Sequence, residues 1–292
     1  MVDMIESGPA PAMETQQENR ILRALREPST AFGVSLCLIH LFLALFAYSF
    51  VPYSISQLFT DGLTLPTAVH WFGTDQIGRD YLSRLLVGGQ VALSVSLVGV
   101  MAAMIVGTIL GLMAGYFGGK VDSVVMRITD TLMSIPELIL IAVLVLTFGK
   151  SIGALMFVIT MVYLPGVIRV VRSKAVSITM LDYVRAAELR HESTWFILIR
   201  EMMPNMLGLL AVELAIRTSS AILKISALSF LGLGISQPTP DWGLMVQEAM
   251  SVVFTDPWFL ILPSIMLSSL IIGINFAVDG FARSFGISTN DL

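Results

Sequence analysis

Three ionisable residues stand inside one long apolar stretch, residues 206–229: Glu213, Arg217 and Lys224. A charge in hydrocarbon is costly, so each must pair, face a polar interior or reach a membrane edge. Glu213 and Arg217 are four apart, the spacing at which a carboxylate and a guanidinium meet on one helix face. That pair is either a structural bridge or part of the polar lining of a solute pathway, and spacing alone leaves both open. Lys224 lies toward the other end of the stretch, where it either meets an anionic group of a solute or snorkels to the surface. This is binding chemistry. No serine, histidine and aspartate converge in a nucleophilic arrangement, so no catalytic residue is assigned and an enzyme is not expected.

A second charged group is "DYVRAAELRHESTWFILIREMMPN", residues 182–205. Two helical pieces are expected, 182–191 and 194–203. In the first, Tyr183, Ala186, Ala187 and Arg190 recur at helical spacing, with Asp182 as N-cap unless Ser177 or Thr179 starts the helix earlier. The second is amphipathic through Phe196, Ile199 and Met203, and Pro204 marks the start of the next membrane helix. The flat alanine face can dock in a partner's groove; the rival reading is a helix resting on anionic headgroups. His191 sits among Glu188 and Glu192, as on a solvated helix. With His40, His70 and His191 lacking carboxylate–histidine spacing, no metal site is expected. "FGKS" at 148–151 is no phosphate loop, because Leu144 occupies the place of the leading glycine.

These groups are positioned by a chain of 292 residues that is 55% hydrophobic and only 13% charged, with mean hydropathy +0.83. Soluble domains carry nearer a quarter of their residues as charges. No charge falls between Glu27 and Asp61, from Leu86 to Gly119, or between Asp256 and Asp279, and only Lys150 interrupts Leu138 to Ile168. Runs of this length can cross a bilayer as helix. The fold class is therefore an all-α polytopic membrane protein with six spans, expected at 31–50, 91–114, 130–148, 152–169, 206–229 and 259–279. A polar segment, 1–30, precedes the membrane domain, 31–292; it lacks an apolar core of the signal-peptide kind, and its first twenty residues read as loosely ordered. Cys37 is the single cysteine, which excludes an internal disulfide.

Basic residues orient the spans. With the N-terminus inside, Arg20, Arg23, Arg26, Lys120, Arg127, Arg169, Arg172, Lys174, Arg185, Arg190, Arg200 and Arg283 fall on the cytoplasmic side, against Arg79, Arg84 and Lys150 outside. Both termini are expected inside, with outer loops at 51–90 and 230–258 and a cytoplasmic loop at 170–205. "FGK" at 148–150 makes a tight hairpin of the third and fourth spans. Gly107, Gly111 and Gly115, four apart, suit a close helix–helix seam, although glycine is common in membrane helices generally. In the outer loops, "LPTAVHWFGTDQIGRDYLSRLL" (65–86) and "GLGISQPTPDWGLM" (232–245) read as ordered turns, with Trp71 and Phe72 suited to the interface.

Four stretches, "FGTDQIGRDYLSRLL" (72–86), "GLMAGYFGG" (111–119), "LSFLGLGISQPTPDWG" (228–243) and "NFAVDG" (275–280), make the chain resemble the C-type inner-membrane permease subunit of ABC importers of the dipeptide/oligopeptide/nickel family. The resemblance covers nearly everything after the first 25 residues. It implies the type I importer permease fold and half of a translocation pathway for di- or oligopeptides in a bacterial inner membrane. A nickel or metal-chelate importer is the alternative, with other small solutes, or a channel or ion-coupled carrier without an ATPase, as further rivals. It implies as partners a B-type permease subunit, two ABC ATPase subunits that bind ATP and Mg, an extracytoplasmic solute-binding protein and lipid, with no cofactor in this chain and no nucleic acid.

The resemblance makes residues 182–205 the loop that couples to the ATPase, through Asp182, Tyr183, Arg185, Ala186, Ala187, Glu188, His191 and Pro204. It marks Gly73, Thr74, Asp75, Gly78, Arg79, Asp80, Pro240, Trp242 and Gly243 as family positions of the outer loops. The pattern Glu-Ala-Ala, three residues, Gly is altered here. Arg185 replaces the glutamate and His191 the glycine, at a cost of up to about 1 kcal/mol where a left-handed backbone is required. "AILKISALSFLG" (221–232) departs again, with Ile225 where relatives often carry an acid and Lys224 beside it.

Overall fold

The computed structural model describes residues 25–59 and 62–285; the expectation of a loosely ordered N-terminus lies outside the described residues. Among the described residues the regular elements are helices, with isolated bridges Thr64–Thr74 and Thr74–Asp80. They are α1 (Pro28–Phe50), α2 (Tyr81–Phe117), α3 (Gly119–Met133), α4 (Glu137–Phe148), α5 (Ile152–Thr179), α6 (Asp182–Leu189), α7 (Thr194–Phe196), α8 (Leu207–Phe230), α9 (Trp242–Ala249) and α10 (Trp258–Phe285). A π-helical segment, Ile197–Met202, and a 3-10 turn, Met203–Met206, carry α7 into α8.

α2 and α5 form the central pair, and glycine decides how closely they pack. A Cβ on Gly107 would lie 2.6 Å from Val167, one on Gly111 2.7 Å from Val171 and one on Gly115 2.5 Å from Ala175. The expected seam is therefore present, and Gly99 extends it against Ile159. Where lipid is as apolar as the side chains, such close van der Waals approach is the main source of helix association. α1 closes on α10 in the same manner, with Gly33 against the backbone of Gly273 and Ala277.

Several expected boundaries move. α2 has 37 residues, about 55 Å at 1.5 Å per residue, and begins at Tyr81, so the first outer loop ends ten residues before the expected position 90. α5 runs to Thr179, past position 170 where the connecting loop is expected to start. The larger correction concerns the third span. In place of one helix over 130–148, α3 ends at Met133 and α4 starts at Glu137, with a bend of 90° between them. α4 alone has 12 residues, about 18 Å, well short of a hydrocarbon core of about 30 Å. At the break Pro136, the N-cap of α4, has ψ 127°, and its ring removes a backbone donor and disfavours helical backbone at Ile135. Among the described residues five helices are long and apolar enough to cross, and the bent pair taken as one span makes six.

The seam yields a direct test. Gly111→Leu should force α2 and α5 apart and cost about 1–3 kcal/mol or more by overpacking. The measurement is the thermal midpoint of purified protein in detergent, where the variant should melt several degrees lower than Gly111→Ala.

Candidate translocation site and coupling loop

The break between α3 and α4 opens onto a cavity of about 440 Å³, whose wall includes Ser134, Pro136, Glu137, Tyr163, Arg217 and Lys224. Non-helical backbone at membrane depth is tolerated where it is buried in protein or lines a water-filled space. The expected pair is formed: Arg217 Nε donates to Glu213 Oε2 at 2.6 Å, with Glu213 buried behind it. Lys224 does not stand alone at an edge. Its Nζ lies 2.5 Å from Glu137 Oε1 and 2.9 Å from the Tyr163 hydroxyl, over whose ring it also sits. Glu137, Tyr163 and Gly166 are site residues that spacing on α8 alone could not reveal. The one available signal was Pro136–Glu137 interrupting an otherwise apolar run.

At the other end of the bundle, motifs from the two segments expected as outer loops assemble one buried ion cluster. The Asp75 carboxylate accepts from Arg79 Nε at 2.6 Å and from the Arg84 guanidinium, and Arg84 donates to Glu248 Oε2 at 2.7 Å. Arg84 is wholly buried, and Gln237 adds a bond to Glu248 Oε1 at 2.7 Å. Two cations thus meet two carboxylates, tying the first outer loop and the start of α2 to α9. His70 is held by Asp80 Oδ1 at 2.8 Å, and Asp80 caps α2 through the Ser83 amide. Gly73 has φ 76°, and a Cβ there would collide with the Thr64 carbonyl, while Thr74 bridges to Thr64. Gly78 also has positive φ, 85°. Phe72 packs edge-on to Trp258, whereas Trp71 is exposed. Trp242 lies buried against Gly88 and Gly89 with its indole N–H on the Leu85 carbonyl, Gly243 abuts the Ser226 backbone, and Pro240 precedes the Asp241 cap of α9. Neither Arg84 nor Glu248 is singled out for this role by sequence alone.

The segment 182–205 keeps the expected break between two helical pieces, with two corrections. Leu181, and not Asp182, is the N-cap of α6; Asp182 is its first helical residue, with its charge at the positive end of the helix. The alanine face is split: Ala187 is fully buried with Val184 against the bundle, while Arg185, Ala186, Glu188 and Leu189 are exposed. A helical step of about 100° per residue separates Ala186 from Ala187, so they cannot share one docking face. Tyr183 is half-buried beside the core. His191 adopts φ 57°, the left-handed conformation that glycine would take more cheaply, and its amide donates to the Glu188 carbonyl. Ser193 caps α7, and Arg190 approaches Glu201 at 3.5 Å, closing the two pieces together. Pro204 lies in the 3-10 turn before α8 rather than at the start of a new helix.

This fold of long apolar helices, with a charged cavity at a broken span and an exposed short helix on one connecting loop, is that of a membrane transport permease. Residues 107–286 match the family described as "Binding-protein-dependent transport system inner membrane component", and the chain belongs to that family. Among similar proteins, the probable D,D-dipeptide transport system permease protein of Escherichia coli is 37% identical over 76% of this chain and 74% of its own. The dipeptide transport system permease protein of Bacillus subtilis is 32% identical over 91% and 88%, respectively. The glutathione transport system permease protein of Pectobacterium atrosepticum is 32% identical over 88% and 86%. The chain is thus a multi-pass permease subunit with the type I ABC importer fold.

Asp241 supplies a pH test at the outer end. Its carboxyl is buried, with one oxygen on the Leu244 amide, and burial pushes it up from 3.8 to about 6. The folded state then holds the proton to higher pH than the unfolded chain. The contribution of Asp241 to stability is fullest below about pH 4, falls as pH rises toward 6, and stays reduced above it, by about 3 kcal/mol at roughly 1.4 kcal/mol per unit. Asp241→Asn keeps a capping oxygen and removes the titration. Between pH 4 and 7 the thermal midpoint of wild type should fall relative to that of the variant.

Proposed function

We propose that this chain forms half of the translocation pathway of an ATP-driven importer of di- and oligopeptides. The observation that carries the reading is the charged cavity at the broken third span, in a chain whose relatives across most of its length are named for dipeptides and glutathione. A second, homologous permease subunit completes the pathway, a solute-binding protein delivers peptide to the outer loops, and two ATPase subunits bind ATP and Mg. This chain contributes no catalytic group. Both termini lie in the cytoplasm, a placement supported by the basic loops.

In this reading α6 docks on an ATPase subunit through its exposed side, where Ala186 is small and Leu189 is 81% exposed. ATP-driven closure of the ATPase pair moves α6, and the rigid α2–α5 pair carries that motion to the cavity. Binding-protein docking with ATP opens the pathway outward; hydrolysis returns it inward.

The solute class is tested by accumulation in a strain lacking the gene, comparing labelled di- and oligopeptides with labelled nickel plus a chelator. Loss of peptide uptake alone, restored by the intact gene, is expected; loss of nickel uptake alone would overturn the peptide reading. Coupling is tested by Ala186→Trp and Leu189→Glu. Each should reduce uptake by about tenfold or more at a normal membrane level, the scale set by removing or obstructing one apolar side chain at an interface. Ala187→Trp should lose the protein itself, because its methyl is buried against the bundle.

A further inference from the structure

We propose that the cavity at the broken third span is a transient station for the two charged ends of a zwitterionic solute. Arg217 takes the carboxylate, and Glu137, exchanged from Lys224, takes the ammonium. This rests on the reading that the solute is a short peptide with free termini.

Arg217 carries five N–H donors in a planar fork. Only Nε is committed, to Glu213 at 2.6 Å, and the structure records no hydrogen-bond partner for the terminal nitrogens among the described residues. One of these nitrogens passes over Gly166, where a Cβ would approach it to 2.7 Å. The missing side chain thus leaves the guanidinium room along the cavity wall, and buried Glu213 holds its plane from behind. A guanidinium with two terminal nitrogens open to a cavity matches a carboxylate in bidentate geometry, which an ammonium cannot do.

Lys224 and Glu137 complete the station. Their side chains are 24% and 47% exposed, so the pair is partly solvated and its net stabilisation is small. A solute ammonium can replace Lys224 on Glu137 at little cost, while Lys224 keeps the Tyr163 hydroxyl at 2.9 Å and the face of that ring. Arg217 and Lys224 are seven residues apart on α8, about 10 Å along the axis. An extended chain spans at most about 3.3–3.6 Å per residue, so the charged ends of an extended tripeptide match a frame of this length. Weak, exchangeable contacts are also what a pathway needs, since solute must leave as readily as it arrives.

The test uses the complete transporter in proteoliposomes, with the binding protein saturated in turn by one tripeptide, its C-terminal amide and its N-acetyl form. Saturation removes the binding protein's own preference from the comparison, and the readout is the ratio of maximal uptake rates. Wild type should move the free peptide about tenfold faster than either blocked form, the scale of one charge-assisted hydrogen bond. Arg217→Gln should bring the free-to-amide ratio within about twofold of one and leave the free-to-acetyl ratio intact; Glu137→Gln should do the reverse. Arg217→Lys, which keeps a cation beside Glu213 but loses the bidentate fork, should lower the free-to-amide ratio and leave the free-to-acetyl ratio intact, and serves should the glutamine variant fail to assemble. Ratios unchanged in both variants, or near one in wild type, overturn the station while the peptide reading stands. A wild-type complex that moves none of the three peptides overturns the peptide reading and the station with it.

Discussion

The contact on which the rest of this structure depends is the close approach of α2 and α5 along Gly99, Gly107, Gly111 and Gly115, with Ile159, Val167, Val171 and Ala175 filling the space that side chains on α2 would otherwise occupy. In a bilayer there is no hydrophobic gain in hiding one helix from lipid behind another, so association depends on how many atoms come within van der Waals range. A seam without side chains on one of its two sides maximises that number. It also makes a stiff unit with functional segments at both ends. The N-terminal end of α2 carries Arg84 into the buried ion cluster, and the C-terminal end of α5 runs directly into α6.

The outer cluster shows why so much charge is tolerated in so apolar a chain. Arg84 and Asp75 are buried far enough that either alone would be strongly destabilising. Together with Arg79 and Glu248 they sum to no net charge, and Asp75 also accepts the backbone amides of Ile77 and Arg79. The cluster cross-links residues more than 160 positions apart in sequence. A buried ion network of this kind gives little net energy compared with apolar packing, but it penalises any arrangement in which the two outer loops separate.

The third span follows the opposite logic. Breaking a membrane helix exposes backbone groups that lipid cannot satisfy, so the interruption at Ser134–Pro136 persists only beside a polar space. That space is walled by Tyr163 on α5 and by Arg217 and Lys224 on α8, and the carboxylate of Glu137 stands at its edge. The charges of α8 and the break in the third span therefore explain one another: the cavity hydrates the charges, and the charges keep the cavity polar.

What the sequence determined by itself was everything that depends on local composition and period. Charge-free runs near the length of a bilayer locate most of the spans, glycines four apart define the face of α2 that packs, and the i, i+4 spacing of Glu213 and Arg217 defines their pair. These are short-range consequences of helix geometry and of the cost of charge in hydrocarbon. What only the tertiary structure decided was which distant groups share a site. Lys224 could have reached the membrane surface, but Glu137 and Tyr163 from two other helices hold it inward. Ala186 and Ala187 are indistinguishable in the sequence, yet the rotation of α6 against the bundle buries one and exposes the other. Arg84 and Glu248 meet only because α2 and α9 are brought together by the burial of Trp242 against Gly88 and Gly89. Helical period tells which residues share a face, but the direction in which that face points is set by every other helix packed around it.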